Sequence, residues 1–560
     1  VSKLVTLSLA ALLITTLGCG SYGSEDASGI ATAPPANQNA PLIEEPDLYR
    51  QFGSHLYIQN PQTGLNILDV NDSKKPRLLG RAKVTGGAGA EIFVKGNQAV
   101  VLLKTATDQC RSPQKLVPNG WSLGAEVAIV DVTSKTHPKI QDRYCLPGTL
   151  VASRTVDDML YVVTTFASRG SRAISINIKD PHNAVVVQQL EFPDASKEII
   201  VSAEAIFVAG RVAGDSNRTR VGYIGIEKTG QMTPRGTIEL PGAPMGRFHM
   251  DQYGAYFRIV TYNQNQRETI LSVIDMSDPN KLTLKGELTD IGRWEKLYAT
   301  RFAGDYAYVV TFRQTDPLWV ISLKDPAAPR IVGELHVPGW SDFLFVRGDT
   351  LIAVGRGANG QKVGVSLFDV SDHSSPRSLS QVSLGDYSST SEANVDHRGV
   401  TILEGGSGRN ALVVVPFTKV QYGQTCQVKH FLQLVEVQPA ALKVRGSVNQ
   451  QGTIRRSLMV GGQLFSISDY EVLSVDIANM DSPQVATAVT IGTDPKASDS
   501  NYTQYCGYGM GMDYHDDDFH GPFELMCSME SGPGGQGAPV PPLTVLVGLS
   551  WLALRLRRRR

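Results

Sequence analysis

Nine short apolar stretches recur along this chain: LNILDV, VAIVDV, AISINI, VGYIGI, LSVIDM, LWVISL, VSLFDV, LQLVEV and VLSVDI. Most stand about 47 residues apart, with longer gaps before the second and the eighth. Several run into one phrase, as in LDVNDSKKPRLLG, VIDMSDPNKLTLKGEL, ISLKDPAAPRIVGELHVPG and LFDVSDHSSPRSLSQVSLG. In a typical unit, RFAGDYAYVVTF reads as strand, Gly-Asp turn, strand; PLWVISL is a third strand and RIVGELHV a fourth. Apolar and β-branched residues follow the period of a strand there, not that of a helix. Asp caps its own backbone and the following Pro presets φ, so the phrase is a type I turn between the third and fourth strands, at the outer end of the unit.

Self-similarity at 40 to 50 residues with four strands per unit implies an all-β, closed β-propeller of eight or nine four-stranded antiparallel blades over residues 48–492, almost without helix. A single such sheet leaves both faces uncovered; sheets stacked around an axis cover one another. The choice between eight and nine rests on the first unit, where DLYRQFGSHLYIQN offers little for an innermost strand. An open solenoid would expose two apolar end faces, and no capping helix is visible to cover them.

With 42% hydrophobic, 19% charged and 7% aromatic residues the chain is globular. A net charge of -1 gives no footprint for nucleic acid. Six cysteines are too few for a disulfide-dense scaffold.

The two ends read as addresses. VSKLVTLSLAALLITTLGCGS has the basic start, short apolar run and small residues of a signal peptide over residues 1–18. TLGC resembles a bacterial lipobox with Cys19 as the lipidated residue, although Thr16 stands where a large aliphatic residue is usual; a plain cleaved signal peptide is the alternative. Residues 19–47, rich in Ser, Gly, Ala and Pro, read as a disordered tether. Residues 493–539 hold an acidic loop and a Gly/Pro-rich linker, and 540–560 an apolar run closed by Arg555 and Arg557 to Arg560. That run is short for a bilayer span of about 20 residues. Its layout resembles the C-terminal sorting tags of myxobacterial surface proteins, with Cys527 as the processing cysteine; a simple membrane anchor is the alternative.

The segments GRFHMDQYGAYFRIVTYN, WEKLYATRFAGDYAYVVTFRQTDPL and TIRRSLMVGGQLFSIS closely resemble the secreted β-propeller domain family of bacteria and archaea, across roughly residues 48–492. YSSTSEANVDHRGVTILEGG is longer and less aromatic than that family's pattern, and CRSPQKLVPNGW is extra. The resemblance implies a secreted or surface propeller and no particular reaction.

No G-x-S-x-G, H-E-x-x-H, P-loop or EF-hand pattern is present, so no catalytic residue is assigned. GGAGAE (86–91) and Arg347-Gly348-Asp349 read as turns. Polar residues in the family-like segments, Arg258, Arg313, Asp316, Asp342, Asp396, His397, Arg455 and Arg456, either line a ligand site on the central channel or tie blades together as paired charges. Asp513, His515, Asp516, Asp517, Asp518 and His520 crowd one loop; they read as a solvated acidic run or as ligands for Ca²⁺ or a transition metal. Cys110 with Cys145 would staple the insertion of the second unit, and Cys426 with Cys506 is the other plausible pair.

These features point to an exported, envelope-anchored, monomeric binding or scaffolding module at the outer membrane or cell surface. It would need no cofactor, hold the membrane through lipid and take a protein or polysaccharide partner. A hydrolase or lyase with its site at the channel mouth, and a metal-dependent surface adhesin, are the alternatives.

Overall fold

The computed structural model describes residues 43–499, apart from 45, 86–89, 107–122, 167–169, 181–184, 203, 314–315, 338, 358–361, 387–388, 406–409, 422–426 and 498. Nine sheets follow one another as antiparallel four-stranded blades at 49–82, 90–147, 149–192, 195–241, 250–291, 296–337, 340–384, 401–450 and 454–490. The nine recurring stretches all form third strands, from Gly64–Asp69 in blade 1 to Glu471–Asp476 in blade 9. Helix is confined, among the described residues, to three 3-10 turns at Arg247–His249, Glu392–Asn394 and His397–Gly399. Blade 1 is complete, which settles the count at nine: Tyr49–Phe52 supplies its innermost strand and pairs with His55–Asn60. That strand has no β-branched residue, sets Arg50 and Gln51 between its two aromatics and exposes Phe52, so it lacks the apolar signature of its neighbours.

The repeated phrase makes two successive side-chain-to-backbone turns. In blade 5, Asp275 Oδ1 accepts from Ser277 N at 2.9 Å, and Asp278 Oδ1 accepts from Asn280 N at 2.9 Å. Blades 1, 7 and 9 repeat the pair at Asp69 and Asp72, at Asp369 and Asp372, and at Asp476 and Asn479. This turn also reaches the neighbouring blade. In blades 1, 4, 5, 6 and 8 the fourth strand carries a glycine where the next blade's turn arrives. A Cβ would lie 2.2 Å from His373 O at Gly333, 2.4 Å from Pro326 O at Gly286, 2.5 Å from Lys135 O at Gly80 and 2.4 Å from Pro483 Cδ at Gly446. The notch is hydrogen-bonded too, with Gly236 N donating to Pro279 O at 2.7 Å and Gly446 N to Met480 O at 2.8 Å. At these five interfaces the phrase is therefore a latch between consecutive blades.

Each blade-to-blade contact encloses its own apolar cluster, and there are nine clusters for nine blades. The one that closes the ring joins Leu56, Ile58 and Leu68 of blade 1 to Leu458, Phe465 and Val472 of blade 9. Burial of such side chains stabilises by about 1.5–3 kcal/mol each. The seam is reinforced by Ser474 Oγ donating to Ser73 O at 2.6 Å and Thr487 Oγ1 to Lys74 O at 2.8 Å. Closure leaves no open outer face for further sheet packing.

The ring has two distinct faces. The residue after the third strand donates its N–H into the first hairpin turn of the same blade, as Val70 does to Ser54, Met276 to Ala255 and Val370 to Asp349. First hairpin turns and Asp-Pro turns thus share one side, the turn face. Blade connections, including all three 3-10 turns, belong to the other side, the loop face. Arg347-Gly348-Asp349 is a first hairpin turn, with Gly348 at φ 54°.

Candidate functional site

Innermost strands present one edge and alternate side chains to the axis, so polar residues there must find partners across the channel. The long connection into blade 8 supplies most of them. Its first 3-10 turn is capped by Ser391, whose Oγ accepts from Ala393 N at 3.0 Å, and the second by Asp396, which accepts from Arg398 N at 3.1 Å. These caps aim Glu392, Asn394, Asp396, His397 and Arg398 at three other parts of the ring.

Toward blade 9, Arg456 Nη2 donates to Asp396 Oδ2 at 2.6 Å, and Arg456 Nε to Asp47 at 2.8 Å. Arg398 faces the same two carboxylates, 3.0 Å from Asp396 Oδ2 and 3.9 Å from Asp47 Oδ1. Next to this four-charge ring, Arg455 bridges Glu392 at 2.8 Å and Asp469 at 2.8 Å. Burial alone would raise Asp396, but Arg456 and Arg398 outweigh it and hold its carboxyl far below the usual carboxylate range. Burial disfavours the charged form of Arg456 too, yet Asp47 and Asp396 leave its pKa raised.

Toward blade 7, Asn394 Nδ2 donates to Asp342 Oδ2 at 2.7 Å and to Gly355 O at 3.1 Å. Burial pushes Asp342 up to about 7, against the Asn394 bond and the nearby Arg356 guanidinium. Toward blade 5, Arg247 Nη2 donates to His397 Nε2 at 2.8 Å. A guanidinium only donates, so the imidazole carries its proton on Nδ1, the atom 3.5 Å from Asp396 Oδ1. Phe248 packs edge-on against His397 at 4.7 Å between ring centres, with Arg301 5.5 Å from the Phe248 ring. Below it, His249 is buried and shares a 2.7 Å hydrogen bond with Thr300; burial lowers its pKa to about 4.

Of the residues singled out in the sequence, Asp342, Asp396, His397, Arg455 and Arg456 meet in this network. Arg258 does not: it pairs with Asp251 of its own blade, its Nε donating at 2.9 Å, and hydrogen-bonds Gly304 O of blade 6. Arg313 is exposed on a loop, and Asp316 opens the third strand of blade 6. Asp47, Glu392, Asn394, Arg398 and Arg247 complete the network without having been picked out. Cys145 is buried and disulfide-bonded. Cys19, Cys110, Cys426, Cys506, Cys527 and the candidate ligands Asp513, His515, Asp516, Asp517, Asp518 and His520 lie outside the described residues. Among the described residues no three His, Cys, Asp or Glu side chains gather as a metal site. No described helix is long and apolar enough to cross a membrane.

The model of the beta propeller domain family matches residues 36–180 and 166–480. The chain belongs to that family. An uncharacterised protein of Archaeoglobus fulgidus is 39% identical over 158 residues, 28% of this chain and 24% of that protein. One of Methanocaldococcus jannaschii is 38% identical over 149 residues, 26% of this chain and 24% of that protein. The matched stretch thus spans about a quarter of either relative. Among solved structures, Sqt1 of Saccharomyces cerevisiae is similar at 9% identity and a TM-score of 0.41, covering 67% of this chain and 94% of that one. BamB of Moraxella catarrhalis is similar at 11% identity and a TM-score of 0.35, covering 66% and 95%.

Proposed function

We propose that this protein is an exported, envelope-anchored propeller that works as a monomeric binding or scaffolding module for protein or polysaccharide. The observation that carries this reading is the pairing at the axis. Arg398, Arg455 and Arg456 each face two carboxylates, so the network's charge is spent within the ring. Such pairs hold blades together and leave the rims, rigid frames carrying variable loops, for recognition. The signal-like start and Cys19 support export and a lipid anchor; a lipoprotein's several acyl chains give stable membrane attachment, which one chain does not. Cys19→Ser should move the protein out of the membrane fraction, and removal of residues 540–560 should change its destination without returning it to the cytoplasm.

The test of binding is saturable retention of one envelope protein or polysaccharide fraction on the immobilised full chain. Retention that never saturates, or none, refutes it. One observation favours the hydrolase or lyase reading: Asp342, at about 7, lies near the loop-face start of blade 7's innermost strand beside Arg356. Release of soluble fragments from envelope polysaccharide, abolished by Asp342→Asn, would decide for that reading. Calcium-dependent retention lost on deleting residues 510–524 would decide for the metal-dependent adhesin.

A further inference from the structure

We propose that the axial channel is a docking groove for an extended, carboxylate-bearing peptide, and that residues 43–47 of this chain are its resident ligand. Ile43–Glu44 pairs antiparallel with the innermost strand of blade 3, Ile43 opposite Val156 and Glu44 opposite Thr155. It adds a fifth strand to that sheet, on the edge that faces the axis. Asp47 then bridges to blade 2, where Ile92 N donates to Asp47 O at 2.8 Å. On the side of blades 8 and 9, Arg398 Nη1 donates to Pro46 O at 2.8 Å, and Arg456 Nε lies 2.8 Å from both Asp47 carboxylate oxygens.

The segment threads the ring. Val156 adjoins the first hairpin turn of blade 3, on the turn face, whereas Arg398 and Arg456 adjoin the starts of blades 8 and 9, on the loop face. Running antiparallel to its partner, the segment goes from the turn-face end of blade 3's innermost strand at Ile43 to the loop face, where blade 1 begins. This is strand addition to an exposed edge: main-chain pairing supplies affinity, and a side-chain pocket supplies selection. Two features make the pocket selective for a carboxylate. Arg456 is 4% exposed, so its charge needs a partner, and Asp396 holds it from behind. A tethered ligand acts at an effective concentration of about millimolar, so a peptide competes only once the resident segment is weakened.

The test uses the full chain. In Asp47→Asn, amide exchange at Ile92, Thr155 and Val156 should accelerate at least about tenfold, because a charge-assisted anchor is lost. A fluorescent peptide of residues 38–47 should then bind this variant at least about tenfold more tightly than the parent chain, whose groove is filled. Adding Arg456→Gln to Asp47→Asn should abolish that binding, as should Asp47→Asn in the peptide. Unchanged exchange in Asp47→Asn overturns the anchoring role of the carboxylate. Faster exchange with no peptide binding overturns the groove.

Discussion

Replacing the notch glycines tests whether the repeated phrase works as a latch. Gly333→Ala places a Cβ 2.2 Å from His373 O and 2.9 Å from Pro376 Cδ, and Gly286→Ala places one 2.4 Å from Pro326 O. Carbon and oxygen need more than 3 Å, so the next blade's turn must withdraw by about 1 Å. Overpacking of this kind costs about 1–3 kcal/mol per site. The blades span about 440 residues, and an unfolding entropy of about 2.1 cal/mol/K per residue makes that roughly 0.9 kcal/mol/K for the ring. One substitution should therefore lower the melting temperature by only about 2 °C. Combining Gly286→Ala, Gly333→Ala and Gly446→Ala, on separate interfaces, should lower it by about 6 °C, since distant sites add. Gly222→Ala is the control. Its Cβ meets nothing nearer than Thr237 Cγ2 at 3.8 Å, and alanine in a strand interior gains about 0.5–1 kcal/mol over glycine. Differential scanning calorimetry on the four single variants and the triple reads this directly. A triple variant that melts with the parent, or a Gly222→Ala as damaging as Gly333→Ala, would refute the latch.

Asp342, raised from 3.8 to about 7, keeps a proton in the folded state that the unfolded chain releases, so its contribution falls as pH rises from about 4 to 7 and is level above that. Urea titrations should show Asp342→Asn more stable than the parent at pH 8 by roughly 4 kcal/mol, with no difference near pH 4. His249, lowered from 6.5 to about 4, has the opposite sign: the unfolded chain takes a proton that the folded state refuses, so stability falls as pH drops from 6.5 to 4. An NMR titration should find its imidazole neutral down to about pH 4, and His249→Gln should flatten that limb. Asp396→Ala leaves Arg398 and the buried Arg456 to share Asp47 alone and should cost about 3 kcal/mol; the parent pair should persist well below pH 4, since the folded carboxyl protonates only far below its unfolded value.

The third strands were legible because two signals coincide there, a run of β-branched residues and an Asp-headed turn. Blade 1's innermost strand, YRQF, has neither: two polar residues stand between its aromatics, and Phe52 is exposed. The notch glycines carry no signal of their own, because a fourth-strand glycine acquires meaning only when the next blade's turn reaches it. The axial network was half legible. Arg455 and Arg456 lie in a recognisable motif, and Asp396 and His397 in a conspicuous departure from the pattern. Asp47 was hidden by its surroundings, since its Ser-, Ala- and Pro-rich segment reads as a tether. Its partner Arg456 is 409 residues away. Nothing local marks such a pair.

Blade number itself accounts for the segments that looked out of place. Adding blades moves the innermost strands away from the axis, as added strands widen a barrel. With nine blades, side chains alone reach across poorly, and nine strand edges face the axis with backbone groups that need partners. The chain fills the space with backbone from several sources: the 3-10 turn before blade 5, the two before blade 8, and the lead-in to blade 1. Contacts between these fillers confirm that they meet near the axis. Arg247 from the first touches His397 from the second, and Arg398 from the second holds Pro46 from the third. The fillers carry opposite charges because polar backbone brought to the axis excludes an apolar plug, and charges removed from water need partners at hand. The long connection YSSTSEANVDHRGV is therefore a requirement of the ring's size, and shortening it should cost the ring its centre before it costs any single blade its strands.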